Sequence, residues 1–160
     1  MAMKSSLTAL GVVLGLSLVV GGAVAQSRSN ISDQPIGVGA GTGEMRSDGF
    51  SLRDQVEITQ GPNRLRAEVI DGQGAGGQLR TITASGGVYY VTPEESIRGD
   101  RAVYTVSNAT LVVTGDVILT QGKNVLTGSR LTYNVDTGAA NMAGGSNGRI
   151  QGVFYPQKSN

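Results

Sequence analysis

The chain has 160 residues, 13 Lys and Arg against 12 Asp and Glu, a formal net charge of +1, and neither Cys nor His. That length suits one domain, and its core must hold without disulfides. The missing His excludes a serine or cysteine triad in its usual form and most zinc chemistry. The balanced charge offers no basic field to collect nucleic acid.

Residues 1–25 read as a secretory signal peptide. Lys4 supplies the positive n-region, Leu7–Val20 the apolar h-region, and Ala23-Val24-Ala25 an A-x-A cleavage site. No Cys follows, so there is no lipoprotein acylation site. Of the 13 basic residues only Lys4 lies in the leader, which leaves 12 basic against 12 acidic residues after cleavage. The mature domain is then 26–160, with its core over about 33–156. The alternative is that the apolar stretch stays uncleaved as a membrane anchor.

A polar leader from Ser27 precedes a short strand around Ile36–Ala40. A segment of nineteen residues then recurs without gaps at 54–72, 86–104 and 115–133. The first and third copies share Val-x-(Ile/Leu)-Thr-Gln-Gly-x-Asn-x-Leu at 56–65 and 117–126, and the second and third share Gly-x-Val, Gly-x-Arg and Tyr. A repeat shorter than a domain cannot bury its apolar face alone, so the copies must stack. Each copy encodes a hairpin: Val117–Thr120 and Val125-Leu126 flank Gln121-Gly122-Lys123-Asn124, whose Gly and Asn tolerate a tight turn. Alternation places Val56, Ile58, Val88, Tyr90, Val117 and Leu119 on one face, and Glu57 and Thr59 on the other. Ala102, Tyr104 and Val106 continue the pattern after the second hairpin, and Leu131, Tyr133 and Val135 after the third. Leu126 and Leu131 are five apart, which predicts a bulge or bend near Gly128, with another near Gly99. Gly72–Gly77 reads as a flexible connection, Asn141–Gly148 as a loop, and Arg149–Tyr155 as a last strand before a polar tail. No segment after residue 25 shows apolar residues at helical spacing over three turns, so the fold is all-β and antiparallel.

No motif carries catalysis. Gly72–Gly77 fits G-x-G-x-x-G, but β-type sequence follows it where a dinucleotide site needs a helix. Arg98-Gly99-Asp100 sits at a repeat position where the third copy has Thr127-Gly128-Ser129. Glu94-Glu95 occupies the second hairpin turn, where a solvated charge pair is the ordinary outcome. Asn30 and Asn108 fit glycosylation sequons that are common by chance. The chain reads as a non-enzyme with no cofactor or metal. Two surfaces remain: an apolar interior between the sheets, and open ends whose edge strands invite strand addition.

Five stretches carry a resemblance to the OstA-like family of LptA-type periplasmic lipopolysaccharide-transport proteins. They are Asp33-Gln34-Pro35-Ile36, Val56–Gly61 and Gly115–Gly122 as paired G-x-V-x-(I/V/L)-T-Q-G motifs, Gly99–Tyr104, and Arg149–Pro156. The first copy departs from the family pattern in opening on Leu52-Arg53-Asp54 rather than on Gly. The resemblance implies a two-sheet, V-shaped β-jellyroll in the periplasm that holds the acyl chains of lipid A in the groove between its sheets. It also implies a head-to-tail bridge from an LptC-like inner-membrane protein to an LptD-like outer-membrane protein. An uncleaved leader would make the chain an LptC-like component instead, and a structural β-repeat surface protein is the reading from another class. Burying one CH₂ is worth about 0.8 kcal/mol, so acyl chains cannot cross water unshielded. On this reading Ile36, Val38, Val56, Ile58, Tyr104, Val106, Val117, Leu119 and Tyr133 are the expected lipid-binding residues.

Overall fold

A computed structural model describes residues 31–145 and 148–156. The leader at 1–25 lies outside them. The elements are β1 (Ile36–Gly39), β2 (Thr42–Arg46), β3 (Gly49–Gln60), β4 (Asn63–Ala75), β5 (Gln78–Val91), β6 (Glu95–Thr105), β7 (Thr110–Gln121), β8 (Asn124–Asn134), β9 (Ala140–Ala143) and β10 (Gln151–Val153), with 3₁₀ turns at Ile31–Asp33 and Val106–Asn108. All pairings are antiparallel and form one sheet in the order β1-β3-β4-β5-β6-β7-β8-β10; β2 pairs the other half of β3, and β9 the other half of β8. The described chain is all-β, as expected.

The six central strands run 11 to 14 residues, longer than the usual 3–10 or so. Each serves two layers because each bends in the middle. Register shifts fall between Arg53 and Val56, Arg66 and Val69, Ser85 and Val88, Arg98 and Arg101, and Thr114 and Val117. Together they form a line of bulges across the sheet, and a bulge bends its strand. The three copies of the repeat each open on this line: Asp54 has φ 66°, Gly86 82° and Gly115 102°. The expected bends near Gly99 and Gly128 are part of the same line. Asp54 and Gln55 hold positive φ where Gly would be unstrained, and the Asp54 carboxylate accepts from the Thr42 hydroxyl at 3.1 Å.

Layer I contains β1, β10 and the strand halves joined by the turns at 61–62, 92–94 and 122–123. Gly61 and Gly122 open two-residue turns with φ 57° and 58°, while Pro62 and Lys123 stay at negative φ, the II′ pattern suited to a hairpin. Layer II contains β2, β9 and the other halves. In layer I one row runs Val38, Ile58, Leu65, Tyr90, Ile97, Leu119 and Leu126 by cross-strand pairing. In layer II a row runs Phe50, Gly72, Ile82, Tyr104, Leu111 and Tyr133. These rows and their neighbours make one continuous core, so the layers face each other. The outer face is polar, with Arg66 paired across strands to Glu57 at 2.6 Å and Arg98 over the Tyr89 ring at 5.1 Å.

Four expectations need correction. Gly72–Ala75 is strand, and only Gly76-Gly77 turns, both at positive φ in a tight I′-type hairpin. Residues 42–46 and 140–143 form β2 and β9, which short polar segments did not announce. Val106 leaves the alternation to begin a 3₁₀ turn. The last strand is confined to Gln151–Val153.

Ile97 is fully buried at the centre of layer I, whereas Ile118 points outward and is 36% exposed. Ile97→Ala should lower unfolding stability by about 2–5 kcal/mol, and Ile118→Ala by about 0.5 kcal/mol or less. Urea unfolding of the two variants checks this, and equal losses would contradict the layer assignment.

Candidate functional site

The candidate site is the space between the layers. Towards the bulge line it is packed solid: Val56, Val88 and Val117 of layer I are buried, as are Ile70, Ala84, Val113 and Leu131 of layer II. Away from the bend the layers part into a cavity of about 40 Å³. Ile36, Ile58, Gln60, Asn63, Leu65 and Tyr90 line it from layer I, and Ile82, Tyr104, Leu111 and Val135 close it from layer II. Almost all of this lining is apolar.

The far end of layer I carries a polar rim. Ile36 pairs with Gln60, Gln60 with Asn63, Glu95 with Gln121, and Gln121 with Asn124, so these side chains form the last row before the turns. The repeated Gln-Gly-x-Asn therefore serves twice, as turn chemistry and as an inward polar edge. Asn63 is 2% exposed, and its Nδ2 donates to the Tyr90 hydroxyl at 2.7 Å. Gln121 Nε2 donates to Glu95 Oε2 at 2.6 Å. Glu95 is buried, which overturns its reading as a solvated turn residue. The Thr92 hydroxyl accepts from the Glu94 and Glu95 amides, and this turns Glu95 inward.

Two contacts cross between the layers at this rim. The rings of Tyr90 and Tyr133 meet edge to face, 5.9 Å apart at 62°. The Tyr133 hydroxyl also faces the Glu95 carboxylate across the gap. Burial raises the pKa of Tyr133, and the Glu95 carboxylate adds to the rise. Burial likewise raises Tyr90 and Tyr104. All three phenols are held neutral, as an apolar interior demands.

Of the residues expected from sequence, Ile36, Ile58 and Tyr104 line the cavity. Tyr133 belongs to the rim contact. Val56, Val117 and Leu119 are buried within layer I. Val38 pairs with Ile58 on the inner face but is 51% exposed, because β1 is the sheet edge. Val106 is half-buried in its 3₁₀ turn. Ile82 and Leu111 were missed because they lie between the repeat copies, where the strand halves of layer II run. Their alternation with Ala84 and Val113 was the available signal. Asn63 was missed because its shared position in two copies reads fully as a turn requirement.

Residues 41–139 match the family described as LptA/(LptD N-terminal domain) LPS transport protein. An uncharacterized protein of Rhizobium meliloti (strain 1021) is 28% identical over 170 residues, covering 90% of this chain and 87% of that protein. The crystal structure of LptH from Pseudomonas aeruginosa, the LptA homologous periplasmic component of its lipopolysaccharide transport device, superposes with a TM-score of 0.71. It is 21% identical and covers 80% of this chain and 100% of that one, a likeness of fold.

The raised phenol pKa values give a signed expectation. The protonated form is the one the fold favours, so this contribution to stability is whole below the ordinary value of 10.0. It falls as pH rises past that value, because the unfolded chain releases its proton first. Urea midpoints measured from pH 8 to 11 should decline above about pH 10, and the decline should be shallower in Tyr133→Phe. A slope unchanged by that substitution would contradict the buried Tyr133–Glu95 contact.

Proposed function

The chain belongs to the LptA/(LptD N-terminal domain) LPS transport protein family, and we propose that it carries lipopolysaccharide across the periplasm with the acyl chains of lipid A between its two layers. The observation that carries this reading is the interior itself: two facing apolar rows that end at a polar rim, where Glu95 is held by Gln121, and hold no ion pair across the gap among the described residues. Each CH₂ moved from water into such a space is worth about 0.8 kcal/mol. An aliphatic lining holds a chain without fixing it at one point, which suits a ligand that must move on.

In the closed arrangement the cavity is about 40 Å³, whereas ligand pockets span about 300–1,000 Å³. On this proposal the layers part further at the rim to load, where a wider space of about 490 Å³ already lies against Asn63, Glu95, Gln121 and Tyr133. The bulge line is the hinge, and the Tyr90–Tyr133 and Tyr133–Glu95 contacts are the parts that separate. Of the nine residues singled out from sequence, Ile36, Ile58 and Tyr104 meet the chain first, since they line the existing cavity. Val38 and Tyr133 flank the opening, Val106 lies beside it, and Val56, Val117 and Leu119 are reached only as the layers open towards the bend.

The edges support the second half of the proposal, a bridge built head to tail. Among the described residues the sheet does not close: it runs from β1 and β2 to β9 and β10. Val38 and Met45 are exposed at one end, and Ile150, Val153, Phe154 and Tyr155 at the other. Open strand edges beside apolar side chains suit strand addition by another copy, or by LptC-like and LptD-like partners at the two membranes.

A photo-crosslinking residue placed at Ile36 should form lipid A adducts in cells, while one at the outward Glu57 should not. Adduct yields at Ile36 no higher than at Glu57 would remove the interior as the lipid path.

A further inference from the structure

The cavity lining contains two buried polar atoms with no hydrogen-bond partner, Asn63 Oδ1 and the Tyr104 hydroxyl. Asn63 is 2% exposed and Tyr104 7%. They belong to opposite layers and line the same mostly apolar cavity, in which Gln60 and the Tyr90 hydroxyl are the other polar groups. The deficit does not depend on how the amide is turned. Asn63 Nδ2 donates to the Tyr90 hydroxyl at 2.7 Å, and a flipped amide would accept there and leave its NH₂ unpaired instead. Buried polar groups are nearly always paired, so two orphans in one cavity mark a place where something else supplies the bonds.

We infer that this pair reads a hydroxyl carried on the acyl chain, so that the groove selects hydroxylated over plain hydrocarbon chains. The inference rests on the acyl-groove reading above. A plain chain entering the cavity strands both polar atoms against hydrocarbon. A hydroxyl satisfies both at once, donating to Asn63 Oδ1 and accepting from the Tyr104 O–H. A site built to bond a hydroxyl rejects the analogue that lacks it, because its own groups are then left unpaired. Position follows from the fold. Asn63 stands on the last inward row before the hairpin turn, at the polar rim. A chain lying tail-inward keeps its head at that rim, so the hydroxyl read here lies within a few carbons of the head.

The test is displacement of a fluorescent fatty acid from the purified protein by tetradecanoic and 3-hydroxytetradecanoic acids. The hydroxylated chain should bind about tenfold more tightly, equivalent to about 1.4 kcal/mol. The ratio of the two affinities should fall towards one in Tyr104→Phe and in Asn63→Leu. Because it is a ratio within each protein, any change in overall binding cancels. Equal affinities in the unaltered protein, the result expected if an ordered water serves the pair, would overturn the inference and leave the groove standing. A preference that persists in both variants would overturn its assignment to Asn63 and Tyr104. Binding of neither acid would overturn the groove and the inference together.

Discussion

The bulge line is the constraint on which everything else depends. Without it the six long strands would make one twisted sheet with an apolar face open to water. Bending every strand at the same level turns half of that face onto the other half. The core is thereby formed between two halves of the same strands, and no separate element is needed to cover it. The cost is paid locally in positive φ, carried by Gly86, Gly87 and Gly115 without strain and by Asp54 and Gln55 with it. A Cβ at Gly115 would run into the Asp100 side chain, so that position also needs the room Gly leaves.

This construction gives the interior a gradient. Near the bend, side chains from both layers interlock and exclude everything. Away from it the layers are held by a few contacts between aromatic and polar groups, and a small cavity already exists. On the proposed function, the bend at one side would act as the hinge and the rim contacts at the other as the part that separates. The same bend leaves both ends of the sheet unclosed, with short split strands in place of a sealed barrel.

Much of this was legible in the residues. Period-two alternation identified the inner face, because one polar and one apolar face leave a plain pattern in Val56–Thr59. The five-residue step from Leu126 to Leu131 announced the bend. The start of each repeat copy marked the bulge line itself, although its meaning needed backbone angles: Asp54 holds a position that Gly holds in the other two copies. What stayed hidden had local causes. β2 and β9 are short, exposed and polar, so no hydrophobic period speaks for them. Gly72–Gly77 looks like a linker by composition, yet Gly72 is a strand residue whose missing side chain admits the Phe50 ring. Glu95 reads as a turn charge, and only the arrival of Gln121 and Tyr133 from distant strands makes its burial tolerable.

On the proposed function, the two layers part at the rim, about the bulge line, to admit an acyl chain. The absence of Cys makes site-directed spin labelling direct. Labels at Thr92 of the layer I turn and Thr137 of the layer II turn report the width of the rim by pulsed electron paramagnetic resonance. Adding lipopolysaccharide should widen that distance by about 4 Å or more, the closest approach of aliphatic carbons, while a pair at Glu57 and Arg101 beside the bend stays fixed. A rim distance unchanged under saturating, demonstrated lipopolysaccharide binding would contradict the account and place the lipid elsewhere on the protein.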